Sequence, residues 1–355
     1  MRFIRSLAAL AVLAATSLGQ AQARESIDIT VVAGHPPIFL WVKHLRETMI
    51  PAVNAELART GNYEITWNEA YGGTLAKVGQ ELDTIRDGLA DMGTAFSLFS
   101  PDKLPLQNIS YLAPFHTDDP ALVIAATEAL QKEIPAMGEQ WDRYGQVYLG
   151  GGIASDAYQL FTVFPINSIA DLKGHRIGTP GASANWLKNT GAVAVSGDLT
   201  TYYNSIKTGV FEGAIVFGTA AAPAKLQEVA PYITMYNFGT TYAGGITFNK
   251  ARWESLPEEV RAAIRTGVEA YGKAFIAELK ARSKSSYDGL VANGAKIRMV
   301  SPKERAKLAA MLPNLAKGWA ATLDGQGLPG TKVLAGFMNK MRDAGVDLAR
   351  DWDKE

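Results

Sequence analysis

Apolar positions along this chain switch repeatedly between a period of two and a helical period. Ser26–Ala33 (SIDITVVA) is rich in β-branched residues and alternates in polarity, which predicts a strand. A Gly-His-Pro-Pro turn occupies Gly34–Pro37, and Phe39–Leu57 then carries apolar residues at helical spacing. Tyr63–Trp67 predicts a second strand that ends in a loop at Asn68–Gly73. Leu75–Leu89 predicts another amphipathic helix and Ala90–Phe96 a short strand. The middle of the chain repeats this logic. Strands are predicted at Gln146–Leu149, Ala157–Val163, His175–Thr179 and Gly213–Phe217, and helices at Ser183–Thr190 and Thr201–Thr208. Ile246–Asn249 reads as a strand returning to the first half. Gly150-Gly151-Gly152 lacks dinucleotide-loop spacing and reads as a crossover between two lobes. Strands alternating with helices predict an α/β fold, with helices packed on sheets.

The longest periodic segment begins at Leu256-Pro257-Glu258-Glu259, where proline and acidic residues mark a helix start. Val260, Ile264, Val268, Tyr271, Phe275 and Leu279 keep helical spacing, and Asn293-Gly294 supplies a stop. A helix of about 35 residues is roughly 50 Å long. That exceeds one domain, so the helix is expected to bridge both lobes. Further helices are expected from Ser301-Pro302 and around Lys332–Ala344.

Composition narrows the compartment and the chemistry. Arg2 and Arg5 precede the apolar run Leu7–Leu18, and Ala21-Gln22-Ala23 is a small-x-small cleavage site. Residues 1–23 therefore read as a secretory signal peptide, with the mature chain starting near Arg24 and exported to the periplasm. No later stretch has the ~20 continuous apolar residues of a membrane span. The chain has no cysteine, which excludes disulfides, thiolate nucleophiles and thiolate metal sites. Its 35 basic and 35 acidic residues leave no basic footprint for nucleic acid. The four histidines, His35, His44, His116 and His175, show no metal-binding spacing; His44 reads as a surface residue and His116 and His175 as turn residues. No serine elbow or phosphate loop is present. The expectation is a monomeric binding protein rather than an enzyme, without metal or cofactor. Aromatic residues near strand ends are the candidates for recognition, since ligands of open α/β sheets bind outside the carboxyl ends of strands.

Two segments carry a family resemblance. The first runs from Ile169-Ala170-Asp171-Leu172-Lys173-Gly174-His175-Arg176-Ile177 through Thr179-Pro180-Gly181, Gly191-Ala192-Val193-Ala194-Val195 and Tyr203–Gly213. The second is Phe248-Asn249-Lys250-Ala251-Arg252-Trp253-Glu254-Ser255-Leu256-Pro257-Glu258-Glu259-Val260. With Gly73-Thr74-Leu75 and Leu112-Ala113-Pro114-Phe115 they resemble the dicarboxylate-type solute-binding proteins of TRAP (tripartite ATP-independent periplasmic) transporters. The resemblance implies a two-lobed periplasmic clamshell with a long helix crossing both lobes. Lobe I would comprise residues 24–151 and 243–275, and lobe II residues 152–242 and 276–355. It further implies hinge closure on a small molecule, about crossovers near Gly151 and Ala243, and delivery to one small and one large membrane subunit. A binding protein of another importer, or a chemosensory partner, is the alternative.

The departures from the family pattern bear on the ligand. The arginine that clamps a substrate carboxylate in the family falls on Gly178, and a second basic position falls on Tyr158. A buried carboxylate without its arginine fork is costly. A small neutral or cationic polar ligand is therefore expected, such as an amine or amino alcohol; an organic acid held by Arg176 or Lys207 is the alternative. The candidate ligand-binding residues are Tyr158, Asp156, Gly178, Trp186, Phe217, Tyr242, Glu69, His35, Phe39 and Phe96. Asp156 and Glu69 are expected in loops beside the cleft, positioned to neutralise an ammonium.

Overall fold

The computed structural model describes residues 24–355, so the expected signal peptide at residues 1–23 lies outside the described residues. The strands are β1 (Glu25–Ala33), β2 (Tyr63–Tyr71), β3 (Met92–Phe96), β4 (Gln146–Ala154), β5 (Tyr158–Thr162), β6 (Arg176–Thr179), β7 (Val193–Ser196), β8 (Gly213–Phe217), β9 (Tyr232–Met235), β10 (Tyr242–Asn249) and β11 (Lys296–Met299). They form a five-stranded sheet in the order β2-β1-β3-β10-β4 and a six-stranded sheet in the order β11-β9-β5-β8-β6-β7. In the first sheet β1 runs parallel to β2 and β3, while β10 runs antiparallel to β3 and β4. In the second, β6 runs parallel to β7 and β8, whereas β5 is antiparallel to β8 and β9. This is the mixed α/β architecture that the alternating periodicity predicts, with β1 and β8 buried along most or all of their length as internal strands should be.

The chain changes sheet three times, between Ala154 and Tyr158, between Met235 and Tyr242, and between Asn249 and Lys296. The first two crossing segments are short and bonded to each other. The Ser155 amide donates to the Thr241 carbonyl (3.0 Å), the Tyr158 amide to the Gly239 carbonyl (3.2 Å), and the Thr240 hydroxyl to the Ser155 carbonyl. Gly150–Gly152 is not a crossover: it lies inside β4, paired to β10 through irregular register, with Gly150 and Gly151 at positive φ of 96° and 64°. Such irregularity bends a strand rather than ending it.

The helix Glu258–Ala292 has 35 residues, about 52 Å at 1.5 Å per residue. Val260, Ile264, Val268, Tyr271, Phe275 and Leu279 form its buried stripe. Its first half packs on the helix Ile50–Thr60 and on β4; its second half packs on the short helix Gly218–Ala221 that follows β8, and β11 then joins the second sheet. The helix thus packs on a strand of the first sheet and on the helix that follows β8 of the second.

Leu75–Leu89 is mostly irregular, and only Glu81–Arg86 is helical. Gly79 at φ 86° breaks the helical path, and a buried carboxylate organises the loop instead (below). His44 is also not a surface residue: it is buried, with Nε2 2.9 Å from Glu278 of the long helix.

Candidate functional site

The two sheets face each other across a cavity built where strands end. The turn after β1 supplies His35, and the turns after β3 supply Leu98 and Phe99. From the second sheet, β6 leads into Pro180 and β7 into Asp198 and Leu199, while β8 ends in Val216 and Phe217. These are carboxyl ends, where open α/β sheets bind ligands. The cavity measures about 40 Å³, room for roughly three waters.

Its wall is a chain of rings in mutual contact. Tyr158 and Phe217 stand directly opposite each other in the β5–β8 register, with centroids 4.9 Å apart and planes at 75°. Phe217 lies 6.3 Å from Trp41 of the first lobe, which lies 6.2 Å from Phe96 and 5.1 Å from His35. Edge-to-face packing of this kind suits the aromatic quadrupole. Tyr111 and Tyr202 complete the lining. Burial pushes the phenols of Tyr158 and Tyr202 well above their ordinary range and that of Tyr111 up to about 12, so all three are neutral at physiological pH.

Three polar atoms in this wall lack a partner, His35 Nδ1, Trp41 Nε1 and the Tyr111 hydroxyl. Burial lowers His35 to about 4, so its ring is neutral. Beneath the same turn Glu81, 1% exposed, accepts the Gly34 amide (3.0 Å) and the Gly79 amide (2.6 Å), and burial raises its carboxyl to about 7. Asp198 is the acidic group of the lining. Its Oδ1 accepts the amide and hydroxyl of Thr200, at 2.7 and 2.6 Å, which fixes the carboxylate ahead of the helix Tyr202–Lys207. Its charge acts on His35, Glu81 and Tyr202. Among the described residues lining the cavity there is no lysine or arginine.

The structure divides the sequence candidates. His35, Phe96, Tyr158 and Phe217 share the cavity wall. Phe39 sits behind it, stacked on Trp41 at 5.0 Å. Trp186 also stands one layer back, edge-on to Tyr158 at 5.3 Å, with its indole N–H donated to the Tyr111 carbonyl at 2.7 Å. Gly178 lies beneath Tyr202 rather than on the wall.

The remaining three lie elsewhere. Tyr242 directs its hydroxyl to Tyr148 (2.8 Å), away from the cavity. Asp156 faces a separate cavity shared with Tyr287 and Arg305, because its carboxylate is bound by the hydroxyl (2.5 Å) and amide (3.3 Å) of Thr219 at the start of the helix Gly218–Ala221. Glu69 is not in a loop: β2 continues to Tyr71, and Glu69 pairs with Arg46 at 2.7 Å. Neither acid can neutralise a ligand in the cavity. Arg176 and Lys207 do not reach it either; the Arg176 guanidinium donates to the Gly209 carbonyl (2.8 Å), and Lys207 lies over the Tyr203 ring. Trp41, Tyr111, Asp198 and Tyr202 are among the wall residues that the sequence candidates omit. For Asp198 a signal was present, an acid just after a β-branched run followed by a helix.

The sequence profile of the bacterial extracellular solute-binding protein family 7 matches residues 54–322. A solute-binding protein of Albidiferax ferrireducens is 23% identical over 233 residues, 62% of this chain. The match spans 65% of that relative, less than two thirds of its length. Among solved structures, a Bordetella pertussis extracytoplasmic solute receptor binding pyroglutamic acid superposes with a TM-score of 0.74 at 20% identity, over 89% of this chain and 99% of its own. A TRAP solute-binding protein from Rhodoferax ferrireducens in complex with copurified benzoate gives 0.77 at 17% identity, over 90% and 98%.

Proposed function

The chain belongs to the bacterial extracellular solute-binding protein family 7, the receptors of TRAP transporters, and from that premise we propose that it captures a small cationic or neutral molecule in the periplasm and delivers it to the two membrane subunits of such a transporter. The observation that carries the ligand class is the wall itself: neutral rings and one acid, Asp198, with no basic side chain among its described residues. An ammonium in contact with such rings gains roughly 0.5–2 kcal/mol per well-placed face, and Asp198 supplies the counter-charge. A carboxylate there would lose its hydration without a paired cation, at a cost of several kcal/mol.

The lobes bring their halves of the wall together, so a ligand that touches both favours the closed form by its differential affinity. The hydrogen-bonded crossing segments at Ser155 and Thr241 are the expected hinge, with the lobe boundaries inside those segments, between Ala154 and Tyr158 and between Met235 and Tyr242, and the long helix as brace.

An acid remains the second reading, favoured by the unpartnered Trp41 Nε1, a donor that suits an acceptor oxygen. Calorimetric titration separates the two, using tetramethylammonium, choline and ethanolamine against benzoate and pyroglutamate. Ammonium binding that weakens about tenfold in Asp198→Asn is expected, the scale of one charge-assisted contact. Micromolar binding of an acid that survives Asp198→Asn, with no ammonium bound, would overturn it.

A further inference from the structure

We propose that Tyr202 sets the ligand class of this cavity, by occupying the space through which a cationic side chain on β6 would enter it. The inference rests on reading the cavity as the ligand site. Tyr202 is 1% exposed and lines the wall. Its position is fixed from several sides: its amide donates to the Asp198 carbonyl at 3.1 Å, its hydroxyl to the Gly197 carbonyl at 3.3 Å, and its ring meets Phe211 edge-on at 6.1 Å.

Beneath that pair of rings lie two glycines. A Cβ on Gly178 would fall 2.9 Å from Phe211 Cδ2 and 3.0 Å from Tyr202 Cε1; a Cβ on Gly197 would fall 2.9 Å from both Phe211 Cε2 and Tyr202 Cε1. Neither glycine has a positive φ, so the backbone at both positions accepts any residue. Space alone requires glycine, and the same two rings take that space from both strands. A side chain at position 178 therefore conflicts with the Tyr202 ring at 3.0 Å and with the Phe211 ring behind it at 2.9 Å. Position 178 is on β6, two residues before the cavity-lining Pro180, where a long cation would reach the wall and give a carboxylate its partner. With Tyr202 in place the wall shows a neutral ring there instead, and Asp198, four residues earlier on the same turn, is left as the nearby charge.

The test is a pair of cycles at positions 178 and 202, read by melting temperature and by titration with benzoate. Gly178→Ala adds only the clashing carbon and should lower the melting temperature by about 4 °C or more in the parent, as overpacking does. In a Tyr202→Ala background the same change should cost less, because only the Phe211 contact remains. Gly178→Arg combined with Tyr202→Ala should bind benzoate at least about ten times more tightly than the parent and than Tyr202→Ala alone, the gain of a charge-assisted fork. Equal losses from Gly178→Ala in both backgrounds would show that the space is not shared. A relieved clash without gained benzoate affinity would remove Tyr202 as the determinant. Neither readout uses an ammonium ligand, so failure of the parent to bind tetramethylammonium would count against the proposed ligand class alone.

Discussion

Glu81 is a buried carboxylate whose cost can be measured. It is 1% exposed, and burial raises it from its ordinary 4.5 to about 7. A raised carboxyl pKa means that the folded state favours the protonated form. Its contribution to stability is complete below pH 4.5 and is lost as pH rises through 7. At 1.36 kcal/mol per unit the loss is about 3 kcal/mol. Glu81→Gln removes the titration but turns an amide NH₂ toward either Gly34 N or Gly79 N, leaving one buried donor unmet at a cost of about 1–3 kcal/mol. The variant should therefore be less stable than the parent at pH 5 and equal or more stable at pH 8. Urea unfolding followed by tryptophan fluorescence at pH 4.5, 6, 7 and 8 measures the difference. His35 and Asp156, which are also shifted, are common to both proteins and cancel to first order. A stability difference constant within about 0.5 kcal/mol across that range would refute the reasoning, because Glu81 would then carry no raised pKa.

Three further outcomes are expected. Thr219→Val removes a hydroxyl donor from the fully buried Asp156 and should cost about 1.5–3 kcal/mol; it should also raise the Asp156 carboxyl above its value of about 6 while leaving ligand affinity unchanged, and a large affinity loss would mean that Asp156 reaches the cavity after all. Trp352, wholly buried with its N–H on the Pro114 carbonyl at 2.8 Å, ties the C-terminus to the segment before the first crossing; Trp352→Ala should cost about 3–5 kcal/mol in urea unfolding, and a loss under about 1 kcal/mol would show the tail to be dispensable. Small-angle scattering should show a smaller radius of gyration on adding a bound ligand, and an unchanged radius would leave the hinge without support.

The elements most legible in the sequence were those whose pattern had one physical solution. The stripe from Val260 to Leu279 admits only a long helix, and the apolar run Gly213–Phe217 only a buried strand. Leu75–Leu89 failed because its periodicity was real but its glycines decided otherwise: Gly79 takes a left-handed φ and its amide serves the Glu81 carboxylate. The cavity was half legible. Phe96 and Phe217 stand at strand carboxyl ends, a rule that needs no tertiary knowledge. Trp41 and Tyr202 begin short helices, where an aromatic residue reads equally well as core.

Acid placement was the least legible feature, and the reason is direction rather than residue type. Asp156 and Asp198 are both aspartates beside strands, and both bond nearby threonine groups. β7 runs parallel to β6, so its carboxyl end points at the cavity and delivers Asp198 there. Asp156 precedes the antiparallel strand β5, on a crossing segment where one residue of turn separates the two faces; Ser155 lines the cavity and its neighbour Asp156 faces the opposite side. A shift of one position exchanges the faces, and only the pairing of Ser155 with Thr241 fixes which aspartate a ligand would meet. On the proposed ammonium reading the counter-charge would therefore be the acid after β7, not the one before β5 that the sequence suggests.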